Sequence, residues 1–116
     1  MNFIKLIKML DDYQFEASKT MNTNLTEAEV NTSMTMKLIA EIGLFSDKIV
    51  NSDYYQGTIN RDFIVENLGD MLWYISILAY NNGIDLSEIA TSNVDKLRKR
   101  HGNEYNEDYY SYKELK

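Results

Sequence analysis

The sequence predicts an all-α protein with four main helices per protomer, assembled as an oligomeric helical bundle. Three observations carry that reading. The 116 residues include no proline and five glycines, so little interrupts a long helical period. Apolar residues recur at three- and four-residue spacing, which is the period of one helical face. One segment, Phe63 to Tyr80 (FIVENLGDMLWYISILAY), is apolar all round except for Glu66, Asn67 and Asp70. A chain this short cannot cover such a helix alone, so a homodimer or homotetramer is expected.

The first helix is predicted from about Phe3 to Thr20, with Phe3, Leu6, Ile7, Leu10, Tyr13 and Ala17 on one stripe. A polar turn, Met21 to Leu25, ends it. Thr26 followed by Glu29 forms a capping box, and the second helix carries Val30, Met34, Met36, Leu38, Ile39, Ile42, Phe45 and Ile49 to a stop near Val50. After the turn-rich loop NSDYYQGTIN, Asn60 is the expected N-cap of the third helix, which Gly83 closes. Asp85 with Glu88 resembles a second capping box and opens a fourth helix to about Arg100. Its final turns hold Lys96, Arg98, Lys99 and Arg100, cations that suit the negative end of the helix dipole. Residues 1–102 are thus read as the helical domain and 103–116 as a tyrosine-rich acidic tail without a helical stripe.

Charge and composition narrow the partners. Cysteine is absent and the opening NFIKLIKMLDDYQ is charged every few residues, so neither a secretory nor a membrane-spanning stretch is expected and the cytoplasm is the simplest location. A formal charge of −6 and a pI near 4.7 exclude a nucleic-acid polymer as the main partner, because phosphate contacts need a dominant basic surface. A small anion held through a metal stays open.

The three polar residues of the third helix need a purpose. Glu66 and Asp70 point about 40° apart, and Asn67 lies about 60° from Asp70 on the shoulder of that face. Like charges at that spacing repel unless a cation or a donor sits between them. The alternative is a solvated strip, or ion pairs with Lys37 or Lys48. Asp47 likewise reads as a residue near this patch or as a partner of those lysines. On the fourth helix Asn93, Lys96 and Arg100 share one face, either as a grip for a ligand or as a solvated helix end that complements the dipole. Trp73, Met71, Leu72, Ile75 and Leu78 read as core or subunit interface. His101 reads as a surface residue with no catalytic role.

Five blocks, in order, resemble the MazG-like nucleotide pyrophosphohydrolases. Asp12-Tyr13-Gln14 with Ala17 to Thr20 resembles that family's DYQ…A.RT helix, and Leu38 to Lys48 (LIAEIGLFSDK) its GL.GE.GE..D..K helix. Tyr55-Gln56-Gly57 resembles its FQGH loop, Glu66 to Tyr74 (ENLGDMLWY) its EELGDVLWY, and Asn93 to Arg100 (NVDKLRKR) its N..KL..R. The resemblance implies an all-helical protomer that pairs, with nucleotide sites between helices close to the subunit interface. It also implies Mg²⁺ held by E..E on one helix and E..D on the next, bridging a triphosphate and activating water.

Carried over residue by residue, Glu41 stands at the first glutamate and Leu44 at the second, while Asn67 stands at the third and Asp70 at the aspartate. Thr58 takes the place of the loop histidine. With these departures the resemblance implies a catalytically impaired protein that binds and sequesters a nucleotide or a nucleotide-derived signalling molecule, as a phage protein directed at a defence messenger would. The ligand-binding candidates are Tyr13, Gln14, Tyr55, Gln56, Asn67, Asn93, Lys96 and Arg100, with Tyr54 beside them. The alternative is a Mg²⁺-dependent enzyme cleaving nucleoside triphosphates to monophosphate and pyrophosphate through Glu41, Glu66 and Asp70, the same three residues forming a weak metal site.

Overall fold

The computed structural model describes residues 2–54, 59–102 and 104, and those residues form four helices with no strand: α1 Phe3–Ser18, α2 Glu27–Tyr54, α3 Arg61–Asn81 and α4 Leu86–His101. The expected all-α class is therefore met. The Tyr55–Gly57 block and, apart from Glu104, the expected tail lie outside the described residues.

Local chemistry explains most helix ends. Asn2 opens α1 by accepting the Lys5 amide at 2.9 Å, a cap that the sequence reading does not include. The helix stops at Ser18, short of the expected Thr20. There the Ser18 and Thr20 hydroxyls each turn back at 2.7 Å onto the carbonyls of Phe15 and Ala17, competing with the helical ladder. The capping box of α2 is formed as expected: Glu29 N donates to Thr26 Oγ1 at 3.1 Å, and Thr26 N donates to the Glu29 carboxylate at 2.9 Å.

Hydrogen bonds from the Thr26 backbone and then its side chain hold the Glu29 carboxyl below its ordinary value of 4.5. This contribution to stability is complete above 4.5 and is lost as pH falls through the lowered value. The stability gap between wild type and Glu29→Gln, measured by urea denaturation, should therefore close on acidification. A gap independent of pH would contradict the reading.

The second helix continues to Tyr54, about one turn beyond the expected Val50. On its surface Asn51 donates to Asp47 Oδ2 at 3.3 Å, an i,i+4 bond that supports the extra turn. Asn60 caps α3 by accepting the Asp62 amide at 2.7 Å. At its other end Ile84 N reaches Ala79 O at 2.9 Å and Gly83 N reaches Tyr80 O at 3.0 Å, the paired bonds of a Schellman motif, with Gly83 at φ 69°. Glycine suits that position because a Cβ would crowd the backbone at positive φ.

The start of α4 departs from expectation. Asp85 occupies the N-cap position but makes no side-chain cap hydrogen bond. Instead Gln14 Oε1 accepts Leu86 N at 3.0 Å and Asp11 Oδ1 accepts Ser87 N at 2.8 Å, so α1 caps α4 from across the fold.

Helix α2 packs along α3, and α1 packs against both α3 and α4. Asn81 Nδ2 donates to Glu27 O at 2.9 Å and to Asn31 Oδ1 at 2.8 Å, fixing the beginning of α2 to the end of α3 and making the pair antiparallel. The core gathers Ala17, Val30, Met34 and Ile77, with Tyr13, Met21, Leu25, Trp73, Tyr74 and Leu78 against it. Trp73 adds a hydrogen bond from Nε1 to Thr20 Oγ1 at 2.9 Å.

Several residues expected on apolar stripes are exposed in the protomer, among them Phe3, Leu6, Met36, Ile39 and Ile42. Periodicity identifies a face that avoids water; it does not say that the same chain covers it. On α3, Val65, Leu68, Leu72 and Ile75 form a heptad-spaced seam whose residues are 56%, 48%, 41% and 40% exposed.

Candidate functional site: an acidic cleft between α2 and α3

Because α2 and α3 run antiparallel, Glu41 in the middle of one faces the first half of the other. Phe45 and Phe63 stack at 6.4 Å with 10° between their planes, and the Lys48 ammonium lies 5.6 Å from the Phe63 ring centre. Beside this aromatic contact, Glu41, Leu44, Phe63, Glu66, Asn67 and Asp70 line a cleft of about 270 Å³. The cleft thus joins the three sequence-selected acids to the two positions where Leu44 and Asn67 replace carboxylates. Asp47 is not among these lining residues.

Asn67 sets the character of the cleft. It is 4% exposed, and its Nδ2 donates to Glu41 Oε2 at 2.7 Å. Its Oδ1 is buried and has no hydrogen-bond partner among the described residues. A glutamate at this position would set one carboxylate against another and require a cation between them; the amide supplies the donor itself. A buried acceptor left open costs about 1–3 kcal/mol, which makes Oδ1 a place where an additional donor is favourable.

Tyr74 senses the same acids. Burial pushes its phenol up first, and the negative charges of Glu41 and Asp70 push it further. The fold consequently favours the neutral phenol: that contribution is whole below 10.0, the ordinary value, and is lost as pH rises through the raised one. Asp70→Asn should move the ionisation of Tyr74 part of the way back down, as followed by NMR of the ring resonances assigned through Tyr74→Phe. An unmoved titration would place Asp70 too far away to act.

The other selected residues are arranged differently. Lys96, Lys99 and Arg100 line an open concavity of about 790 Å³ on α4 together with Ser87, Thr91, Ser92 and the acids Glu88 and Asp95. Asn93 is exposed on that helix but is not among the residues lining this concavity. Arg98, on another side, lies 5.4 Å from the Phe3 ring centre. No described residue lines both the acidic cleft and the α4 concavity. Tyr13 is packed against the core, and Gln14 is buried with both ends of its amide bonded inside the fold. Tyr55, Gln56 and Thr58 lie outside the described residues.

The donor set can be tested against the metal that the sequence resemblance implies. Leu44 contributes no ligand, Asn67 turns an N–H toward Glu41, and Glu66 adds a carboxylate that is not one of the E..D ligand pair. Among the described residues, no three His, Cys, Asp or Glu side chains converge as a metal-holding group. The residues present do not fit a two-metal clamp, which needs oxygen ligands from both helices around each ion. Sequence reasoning also passed over Tyr74 and Asp11. Tyr74 could have been found one helical turn from Asp70, whereas Asp11 carries no local signal for its cap on α4.

The described residues thus define an all-α scaffold with an acidic cleft between an antiparallel helix pair and a strip of mixed charge on the last helix. Residues 29–104 match the MazG nucleotide pyrophosphohydrolase domain, and the chain belongs to that family. It is also 30% identical over 99 residues to the Gene 37 protein of Mycobacterium phage L5, an alignment covering 78% of this chain and 87% of that protein. No solved structure matches it significantly. None of the four described helices is long and apolar enough to cross a membrane.

Proposed function

We propose that this MazG-family protein binds a small nucleotide or nucleotide-derived signalling molecule and holds it without efficient hydrolysis. The observation that carries the reading is the 2.7 Å hydrogen bond from Asn67 to Glu41, a donor–acceptor pair where the family resemblance implies two carboxylates around Mg²⁺. With Leu44 on the same wall, the cleft retains a shaped acidic surface but loses ligands that a bridging metal pair needs.

The phosphates are placed on α4, where three cations, Lys96, Lys99 and Arg100, outnumber the acids Glu88 and Asp95; the cleft of Glu41, Glu66 and Asp70 has no cation among the described residues of its lining to offset the repulsion. Residues 1–102 carry the binding unit. A second copy covers the α3 seam of Val65, Leu68, Leu72 and Ile75, giving a homodimer or homotetramer. The phage relative supports a phage origin, and the role proposed with it is sequestration of a defence messenger in the host cytoplasm.

A second reading, a Mg²⁺-dependent nucleoside triphosphate pyrophosphohydrolase, is favoured by one observation: Glu41, Glu66 and Asp70 do line a single cleft. Mass spectrometry of small molecules released by heating the purified protein, after exposure to a nucleotide panel, separates the two. The binding reading expects one intact nucleotide in stoichiometric amount. Recovery of monophosphate and pyrophosphate alone, or of no nucleotide at all, would sink it.

A further inference from the structure

We infer that the cleft between α2 and α3 takes a small organic cation bearing N–H donors, an ammonium or guanidinium, in place of a divalent metal. The inference concerns what enters this cleft, and it holds whether or not the protein also carries a nucleotide on α4.

The polar inventory is one-sided. Ionised Glu41, Glu66 and Asp70 can only accept hydrogen bonds. Asn67 is the one amide lining the cleft, and an N–H of its Nδ2 is already engaged by Glu41 Oε2 at 2.7 Å. That bond leaves its other end, Oδ1, as the atom still in need of a partner: 96% of the residue is buried, being 4% exposed, and Oδ1 has no partner among the described residues. Leu44 and Phe63 complete the walls with apolar surface. A complementary occupant therefore donates hydrogen bonds, carries positive charge and has an apolar stem. A phosphate fails on both polar counts.

A divalent ion meets the charge requirement but not the geometry. Mg²⁺ requires oxygens at about 2.0–2.1 Å in octahedral array and dehydrates reluctantly. The acids do not converge on one point, and an Asn67 N–H already competes for Glu41. An ammonium or guanidinium distributes several donors over separated acceptors, and a cleft of about 270 Å³ has room for one with a short aliphatic stem.

The test titrates the full-length protein with methylguanidinium, butane-1,4-diamine, Mg²⁺ and Mn²⁺ at constant ionic strength. Binding is followed by calorimetry and, with the diamagnetic probes, by the Asn67 side-chain amide resonances. At least one organic cation should bind saturably, shift those resonances and weaken about tenfold in Glu66→Gln and in Asp70→Asn, the loss of one charge-assisted contact. Both residues are exposed, so these substitutions leave the core intact, and circular dichroism confirms the fold.

Saturable binding of Mg²⁺ or Mn²⁺ to the wild type that is lost in Asp70→Asn would overturn the inference. So would absence of saturable binding by either organic probe, or binding unchanged in both variants. Retained nucleotide without organic-cation binding overturns only this inference, whereas organic-cation binding by a protein that retains no nucleotide overturns only the proposed function.

Discussion

Gln14→Leu is expected to destabilise the protein by about 3 kcal/mol, one of the largest effects available from a single polar side chain here. Gln14 is 4% exposed and lies at the junction of three helices. Its Nε2 donates to Ile84 O at 2.9 Å and to Ser76 O at 3.3 Å, while its Oε1 accepts Leu86 N at 3.0 Å. Leucine is close to glutamine in volume, so little of the loss comes from a cavity. Most comes from backbone groups left without a partner, each costing on the order of 1 kcal/mol when water cannot reach it. Guanidinium denaturation of the two proteins measures the difference. A loss below about 1 kcal/mol would mean that water replaces these bonds and that α4 does not depend on α1 for its first turn.

The double variant Leu44→Glu with Asn67→Glu should make the fold depend on a divalent cation. Two further carboxylates beside Glu41, Glu66 and Asp70 repel one another, and Asn67's hydrogen bond to Glu41 disappears. In chelator the variant should be less stable than wild type. With Mg²⁺ or Mn²⁺ at about one hundred times its dissociation constant, binding to the folded state returns about 2.7 kcal/mol. For a domain of this size that corresponds to a rise of roughly 10 °C in melting temperature. Wild type should show no comparable rise. Equal cation-dependent stabilisation of both proteins would mean that Leu44 and Asn67 had not altered the metal site.

What was legible in the sequence follows from how far each signal reaches. Thr26 with Glu29, Asn60 and Gly83 mark helix ends through contacts within a few residues, and all three act as read. Asp85 looks like an equivalent cap, but the donors it would serve are met by Gln14 and Asp11, which are 72 and 76 residues away from their partners in the chain. No local pattern announces a cap supplied in that way.

The acidic patch was legible because Glu66, Asn67 and Asp70 share a helical face, and block resemblance set Glu41 and Leu44 opposite them. The Asn67 to Glu41 bond was not, because it depends on a side-chain rotamer across a pair separated by 26 residues. The apolar stripes were legible as faces. Which of them the protomer itself covers was not, as Met36 and Ile39 on α2 and the Val65 to Ile75 seam on α3 demonstrate.

In a family named for pyrophosphohydrolysis, the Asn67–Glu41 hydrogen bond stands where the family resemblance implies two carboxylates around a catalytic metal. The most direct measurement is release of monophosphate and pyrophosphate by the wild-type protein from a panel of nucleoside triphosphates, at high protein concentration, with Mg²⁺ and then with Mn²⁺. No release above the protein-free blank is expected for any of them. Equimolar monophosphate and pyrophosphate from even one nucleotide, abolished by Asp70→Asn, would contradict it.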